Sequence, residues 1–171
     1  MSYIVILIVL DASTLILIAK IDILDIFLST VGRKVAVPEE VAKECCSVKK
    51  TLDALMIQKA LDGSTIKVMR VRNRKLVAKL TLDFNLGKGE AEALAINQRA
   101  QLVGIDDKCA MNACKLLGIQ FTTALGVLVR SCERGLIHRS SALAKLDALA
   151  VWGRYQGSII EHARLNLEVQ K

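Results

Sequence analysis

The sequence predicts an α/β fold built on a mostly parallel sheet. Three observations lead there. Two short β-branched runs, residues 3–10 and 102–105, are apolar on both faces, the pattern of a strand buried between two layers. Each run ends abruptly in aspartate, at Asp11 and at Asp106-Asp107, and the carboxyl edge of such a sheet is where open α/β folds place their ligands. Segments of helical period separate these runs from other short apolar runs, an alternation that predicts strand–helix–strand crossovers.

The elements follow in order. After the first strand, residues 13–29 read as helix, broken near Ile21 and Asp22. Residues 33–37 form a second short strand. Pro38 then stands at the first helical position, where its missing N–H is tolerated. Glu39 and Glu40 complement the macrodipole in the first turn, and the helix runs past Cys46. Residues 51–61 are helical and stop at Asp62-Gly63-Ser64. Residues 65–71 are extended and 75–82 form a short helix. Gly87-Lys88-Gly89 is a loop that opens a helix from Glu90 to about Ala100. The second Asp-terminated strand follows, then a helix over 108–117 closed by Gly118. Residues 119–121 are the last strand, and 125–134, 140–150 and 158–169 are helices. No linker, repeat or low-complexity stretch interrupts the chain. The expectation is one domain over 1–171, with 138–171 as its helical C-terminal extension.

Hydrophobic residues make up 53% of the chain and aromatics only 4%, so the core is aliphatic. Lys and Arg number 24 against 17 acidic residues, a net charge of +7, which favours a polyanionic partner such as nucleic acid. Lys67, Arg70, Arg72, Arg74, Lys75 and Lys79 form the one notable basic cluster. It reads as a solvated face or as a track for a phosphate backbone. The first apolar run is too short to cross a membrane, which takes roughly 20 residues, and no signal-peptide pattern accompanies it. A cytoplasmic protein without membrane contact is expected. The five cysteines include no C-x-x-C pair and read as small buried hydrophobes in a reducing compartment.

The acids carry the functional reading. Asp11 follows a buried strand, so it must be solvated, hydrogen-bonded or bound to a cation. It also suits the cap of the following helix, but that role alone does not explain why Asp106 repeats the arrangement. Asp106 ends its strand directly and is assigned to the site, with Asp107 left to cap the next helix. Glu90 begins a helix after small residues, with Glu92 as its solvent-facing neighbour. Glu44 lies two turns into its helix, beyond the reach of the dipole effect. Ser13 offers a supporting hydroxyl or a second cap. Carboxylates converging without a cation would repel and raise one another's pKa. Oxygen ligands suit Mg²⁺ or Mn²⁺, and such an ion can activate water against a phosphodiester.

At these residues the chain resembles the PIN-domain ribonucleases, many of which are VapC-like toxins of type II toxin–antitoxin pairs. The matching stretches are Val9-Leu10-Asp11-Ala12-Ser13-Thr14, Val37-Pro38-Glu39-Glu40-Val41-Ala42-Lys43-Glu44, Leu86-Gly87-Lys88-Gly89-Glu90-Ala91-Glu92-Ala93 and Leu102-Val103-Gly104-Ile105-Asp106-Asp107. The resemblance continues through Leu117-Gly118-Ile119 to about Ile137. It implies a three-layer α/β/α fold with a five-stranded sheet, Mg²⁺- or Mn²⁺-dependent cleavage of single-stranded RNA, a homodimer and an antitoxin partner. It also implies that Asp11, Glu44, Glu90 and Asp106 are the catalytic, metal-binding quartet. Glu90 stands where aspartate is commonest, and Met111 stands near where one branch of the family has arginine. The alternatives are a non-catalytic PIN-like module that binds RNA or a partner, and a haloacid-dehalogenase-like phosphatase. The phosphatase would want a second aspartate where Ser13 stands. A phosphorylation receiver domain would also place acids at this edge.

Overall fold

A computed structural model describes residues 7–46, 50–96 and 102–169. The start of the first expected strand (3–6), the residues after Cys46 (47–49) and the end of the helix expected to reach Ala100 (97–100) lie outside the described residues.

The elements run β1 (Leu7–Leu10), α1 (Ala12–Lys20), α2 (Leu24–Thr30), β2 (Lys34–Pro38), α3 (Glu39–Cys46), α4 (Leu52–Asp62), β3 (Ile66–Met69), α5 (Arg74–Phe84), α6 (Lys88–Ile96), β4 (Leu102–Gly104), α7 (Lys108–Leu117), β5 (Phe121–Thr122), α8 (Ala124–Glu133), α9 (Arg139–Trp152) and α10 (Gly157–Val169). The five strands form one parallel sheet in the order β3-β2-β1-β4-β5. Chain order reverses across β1, so β1 and β4 flank the switch point where such sheets open a crevice.

Alternation along β1 divides the interior into two layers. Ile8 and Leu10 face a core shared with Leu15, Ile18, Ile57, Leu128 and Leu146. Val9 faces the other core, with Val77, Val103, Ile105 and Ala110. Helices therefore cover both faces of the sheet, which explains why its strands read as continuous apolar runs. The first core also takes in Ala142, Leu149, Ile160, Ala163 and Leu167 from α9 and α10. The C-terminal helices are thus packed on the same apolar layer as β1 and α1.

The helix break expected near Asp22 is present, and Asp22 itself adopts a left-handed conformation, φ 55°, which aspartate tolerates better than most residues. Pro38 is a difference from expectation. It ends β2, paired with Met69 of β3, and the helix begins one residue later at Glu39. The last strand also sits later than expected, at Phe121–Thr122. It is short and half-buried, so its apolar signal was weak. Gly104 permits a close approach at the carboxyl end of β4. A Cβ there would overlap Leu10 Cδ2 and lie 3.1 Å from Thr14 Cγ2. The missing side chain lets the first turn of α1 settle beside β4. Among the described residues no helix is long and apolar enough to cross a membrane.

Candidate functional site

The register Leu10↔Gly104 brings the ends of β1 and β4 level. The Asp11 N–H donates to the Gly104 carbonyl at 2.9 Å, and the two aspartate-bearing turns then lie side by side. Asp11 is fully buried. It caps α1, its Oδ1 accepting from the Thr14 N–H at 2.7 Å. Its Oδ2 accepts from the Ser13 hydroxyl at 2.8 Å and, weakly, from the Asp106 N–H at 3.4 Å. Asp11 therefore caps α1 and also meets the turn that carries Asp106, so the capping role does not exclude a place in a shared site. Burial pushes the Asp11 carboxyl up to about 7; hydrogen bonds from Thr14 and Ser13 pull against that, and the charge on Asp106 adds to it.

Asp106 is half-buried and is held from the other side. Its Oδ2 accepts from the Ala124 N–H at 2.8 Å, at the start of α8. Its Oδ1 accepts from the Tyr155 hydroxyl. Burial raises this carboxyl too, against the pull of Tyr155, Ala124 and Thr14. Asp107 takes the role expected of it and caps α7, its Oδ1 accepting from the Ala110 N–H at 2.8 Å. Thr14 lies beside both aspartates, and its polarity favours both charges. Its buried Oγ1 nevertheless has no well-formed hydrogen bond, an uncommon state for a buried hydroxyl.

Glu44 and Glu90 come from α3 and α6. Glu44 is exposed on the last turn of α3. It reaches toward α6, where a Cβ on Gly89 would lie 3.4 Å from its Oε2. Glu90 folds back over the start of its own helix, where a Cβ on Gly87 would overlap its Oε2. This is the curl of an acid in a first helical turn toward the exposed N–H groups. Among the described residues no three His, Cys, Asp or Glu side chains are grouped so as to hold a metal ion. Glu92 differs from expectation. It is buried, not solvent-facing, and it pairs with Arg74 at 2.5 Å. Arg74 belongs to the basic cluster, so one of its cations is committed to an internal acid. Nearby, Glu40 pairs with Lys88 at 2.6 Å and Glu39 lies 3.8 Å from Arg70.

The donor set around the aspartate pair is all oxygen: two carboxylates, the Ser13 hydroxyl and the unsatisfied Thr14 hydroxyl. That chemistry fits a hard divalent cation. By contrast, a cavity of about 310 Å³ lies toward the amino ends of β1 and β4, at Ile8 and Leu102, with Arg33, Arg130 and Arg134 in its lining. Its lining contains no carboxylate, so it is separate from the acidic pair.

A family model described as PIN domain matches residues 7–165. The chain belongs to the PIN-domain family. No curated protein and no solved structure matches it. The match runs from β1 into α10, past the point near Ile137 where the motif resemblance ended. PIN domains are typically nucleases, which are hydrolases of phosphodiester bonds, and generally use divalent metals. Membership therefore points to nuclease chemistry and an RNA substrate. Sequence reasoning missed two residues that lie beside the aspartate pair. Thr14 follows Asp11 in the Asp-Ala-Ser-Thr stretch and was open to notice there. Tyr155 lies 49 residues from Asp106 and carries no local signal.

Proposed function

We propose that this PIN domain is a metal-dependent endoribonuclease that cleaves single-stranded RNA, the toxin of a toxin–antitoxin pair. The observation that carries the proposal is the Asp11–Asp106 pair at the switch point of the sheet. The Asp11 carboxyl is fully buried and accepts from the backbone N–H of Asp106, and the charge on Asp106 works against its ionisation, a cost that a bound cation relieves. Asp11 and Asp106 would hold Mg²⁺ or Mn²⁺, and Glu44 and Glu90 are the further acids that we assign to the site. When bound, the ion lowers the pKa of water and draws charge from a phosphate.

The rest falls to the chain's own residues. Ser13 and the Thr14 N–H fix the Asp11 carboxylate. The N-terminus of α8 fixes Asp106 and contributes positive potential where an anionic phosphodiester approaches. The net charge of +7 favours association with the polyanion. Ser13 also weighs against a phosphatase of the haloacid-dehalogenase type. It stands where that chemistry wants an aspartate, and its hydroxyl is spent on Asp11.

The reading extends to one domain over 1–171, supported by the core that α9 and α10 share with β1, and to a cytoplasmic homodimer. Labelled single-stranded RNA incubated with Mn²⁺ or with EDTA tests the activity. Cleavage that requires metal and vanishes in Asp11→Asn supports the proposal. RNA binding with no cleavage under any metal would instead favour the non-catalytic module. Co-purification with a small protein that blocks cleavage would support the toxin assignment.

A further inference from the structure

We infer that Tyr155 is a positioning residue for Asp106, through which the C-terminal helices α9 and α10 set the geometry of the acidic pair. The inference rests on the nuclease reading of that pair.

Three observations carry it. First, the hydroxyl of Tyr155 is a bridge. It donates to Asp106 Oδ1 and accepts from the Leu125 N–H at 3.2 Å. The Ala124 N–H donates to Asp106 Oδ2 at 2.8 Å, and the Gly126 N–H is taken by Thr123 Oγ1 at 3.0 Å. The first three N–H groups of α8 are thus all satisfied, two of them by Asp106 directly or through Tyr155. Both carboxylate oxygens are fixed relative to one helix end, so the carboxylate plane cannot rotate without breaking a bond.

Second, the chain makes room for the ring. Tyr155 lies in the turn between α9 and α10, two residues after Gly153. A Cβ on Gly153 would sit 2.6 Å from both Cδ2 and Cε2 of the Tyr155 ring and 2.9 Å from the Leu149 carbonyl oxygen. Only a glycine lets the ring lie against the backbone at the end of α9. Third, the ring packs against the core that contains Leu146, Leu149, Ala124 and Leu125. The hydroxyl is therefore delivered by a packed, glycine-cradled ring and not by a mobile surface side chain. Hydrogen bonds to a ligating carboxylate are the kind of outer contact whose loss typically costs 10–100-fold in metal affinity or activity.

Tyr155→Phe removes one oxygen and keeps the ring, and Gly153→Ala displaces the ring while keeping the hydroxyl. Mn²⁺ affinity is read by titration calorimetry on the full chain, beside thermal melts and cleavage of labelled RNA. Both variants are expected to bind Mn²⁺ about tenfold or more weakly. Tyr155→Phe is expected to lower kcat with KM for RNA little changed, since no RNA contact is assigned to it. A variant that melts like wild type yet binds Mn²⁺ weakly supports positioning. Wild-type Mn²⁺ affinity and kcat in a folded Tyr155→Phe, while Asp11→Asn abolishes both, overturns the inference and leaves the nuclease reading standing. If wild type itself neither binds Mn²⁺ nor cuts RNA, the nuclease reading fails and takes this inference with it.

Discussion

Asp11→Asn is expected to stabilise the metal-free protein at pH 8, and the gain should fade as the pH falls. Burial holds the Asp11 carboxyl at about 7 against its ordinary 3.8. The folded state therefore binds this proton more tightly than the unfolded chain does. Below pH 3.8 both states are protonated and nothing is lost. As pH rises past 3.8 the unfolded chain releases the proton while the folded state keeps it, and stability falls with pH until about 7. At 1.36 kcal/mol per pKa unit the full penalty is about 4 kcal/mol. For a chain of this length each kcal/mol shifts Tm by roughly 2–4 °C, so the upper bound is about 8–16 °C.

Asparagine keeps an oxygen for the Thr14 N–H and caps helices about as well as Asp; its NH2 replaces Oδ2, so the Ser13 hydroxyl must turn to accept and the weak contact with the Asp106 N–H is lost, which holds the gain below that upper bound. Asp106→Asn is a poorer probe. It disturbs acceptors already used by Tyr155 and Ala124, so relief of charge would be offset by lost bonds. Melts of both proteins in EDTA from pH 5 to pH 8, plotted as a difference, largely cancel the other titrating groups. The difference should grow with pH. Added Mn²⁺ should stabilise wild type at pH 8 by mass action and do little for the variant. A flat difference, or an asparagine variant less stable than wild type at pH 8, would refute the claim that Asp11 is a charge stored at a cost for a cation.

Asp11→Asn and Asp106→Asn should each abolish RNA cleavage with the fold intact by circular dichroism; near wild-type rates at saturating Mn²⁺ would remove that residue from the metal site. Arg72→Gln should flatten the salt dependence of RNA binding by roughly 0.7 of a slope unit if it meets a phosphate, and an unchanged slope would assign the basic cluster to solvation alone. Arg74→Gln should instead destabilise the fold, by on the order of 1–3 kcal/mol in urea melts, because it strands the buried Glu92 carboxylate. A mass above 18.7 kDa by light scattering is expected at high concentration, since Val151, Trp152 and Leu165 are exposed and mean hydropathy is +0.39; a strict monomer would count against a dimer.

How much of this was legible depended on the distance over which each feature is written. The strands at Asp11 and Asp106, the helix over 108–117 and its Gly118 stop are local patterns, and each reads directly from neighbouring residues. So does the capping role of Asp107, because a cap is a contact across three residues. Glu92 was misread for the opposite reason. On α6 alone it looks like the polar partner of Glu90, and its burial follows only from Arg74 at the start of α5, which arrives over the same layer to neutralise it. Pro38 was placed one residue early because a proline suits both the end of β2 and the start of α3, and the pairing with Met69 decided for the strand.

The candidate site divides along the same line. Its two aspartates are announced by the strands they end, but what fixes them is not. Tyr155 reaches Asp106 because α9 and α10 fold back onto the core of β1 and α1, and Gly153 leaves space for the ring. Neither residue belongs to an acidic motif. A reading that stops near Ile137 therefore describes a pair of charges held by β1 and β4 alone. The structure describes a pair whose second member is also fixed by the last helices of the chain. Removing those helices should for that reason loosen Asp106 as well as expose the core, and the Tyr155→Phe variant separates the first effect from the second because it leaves the core covered.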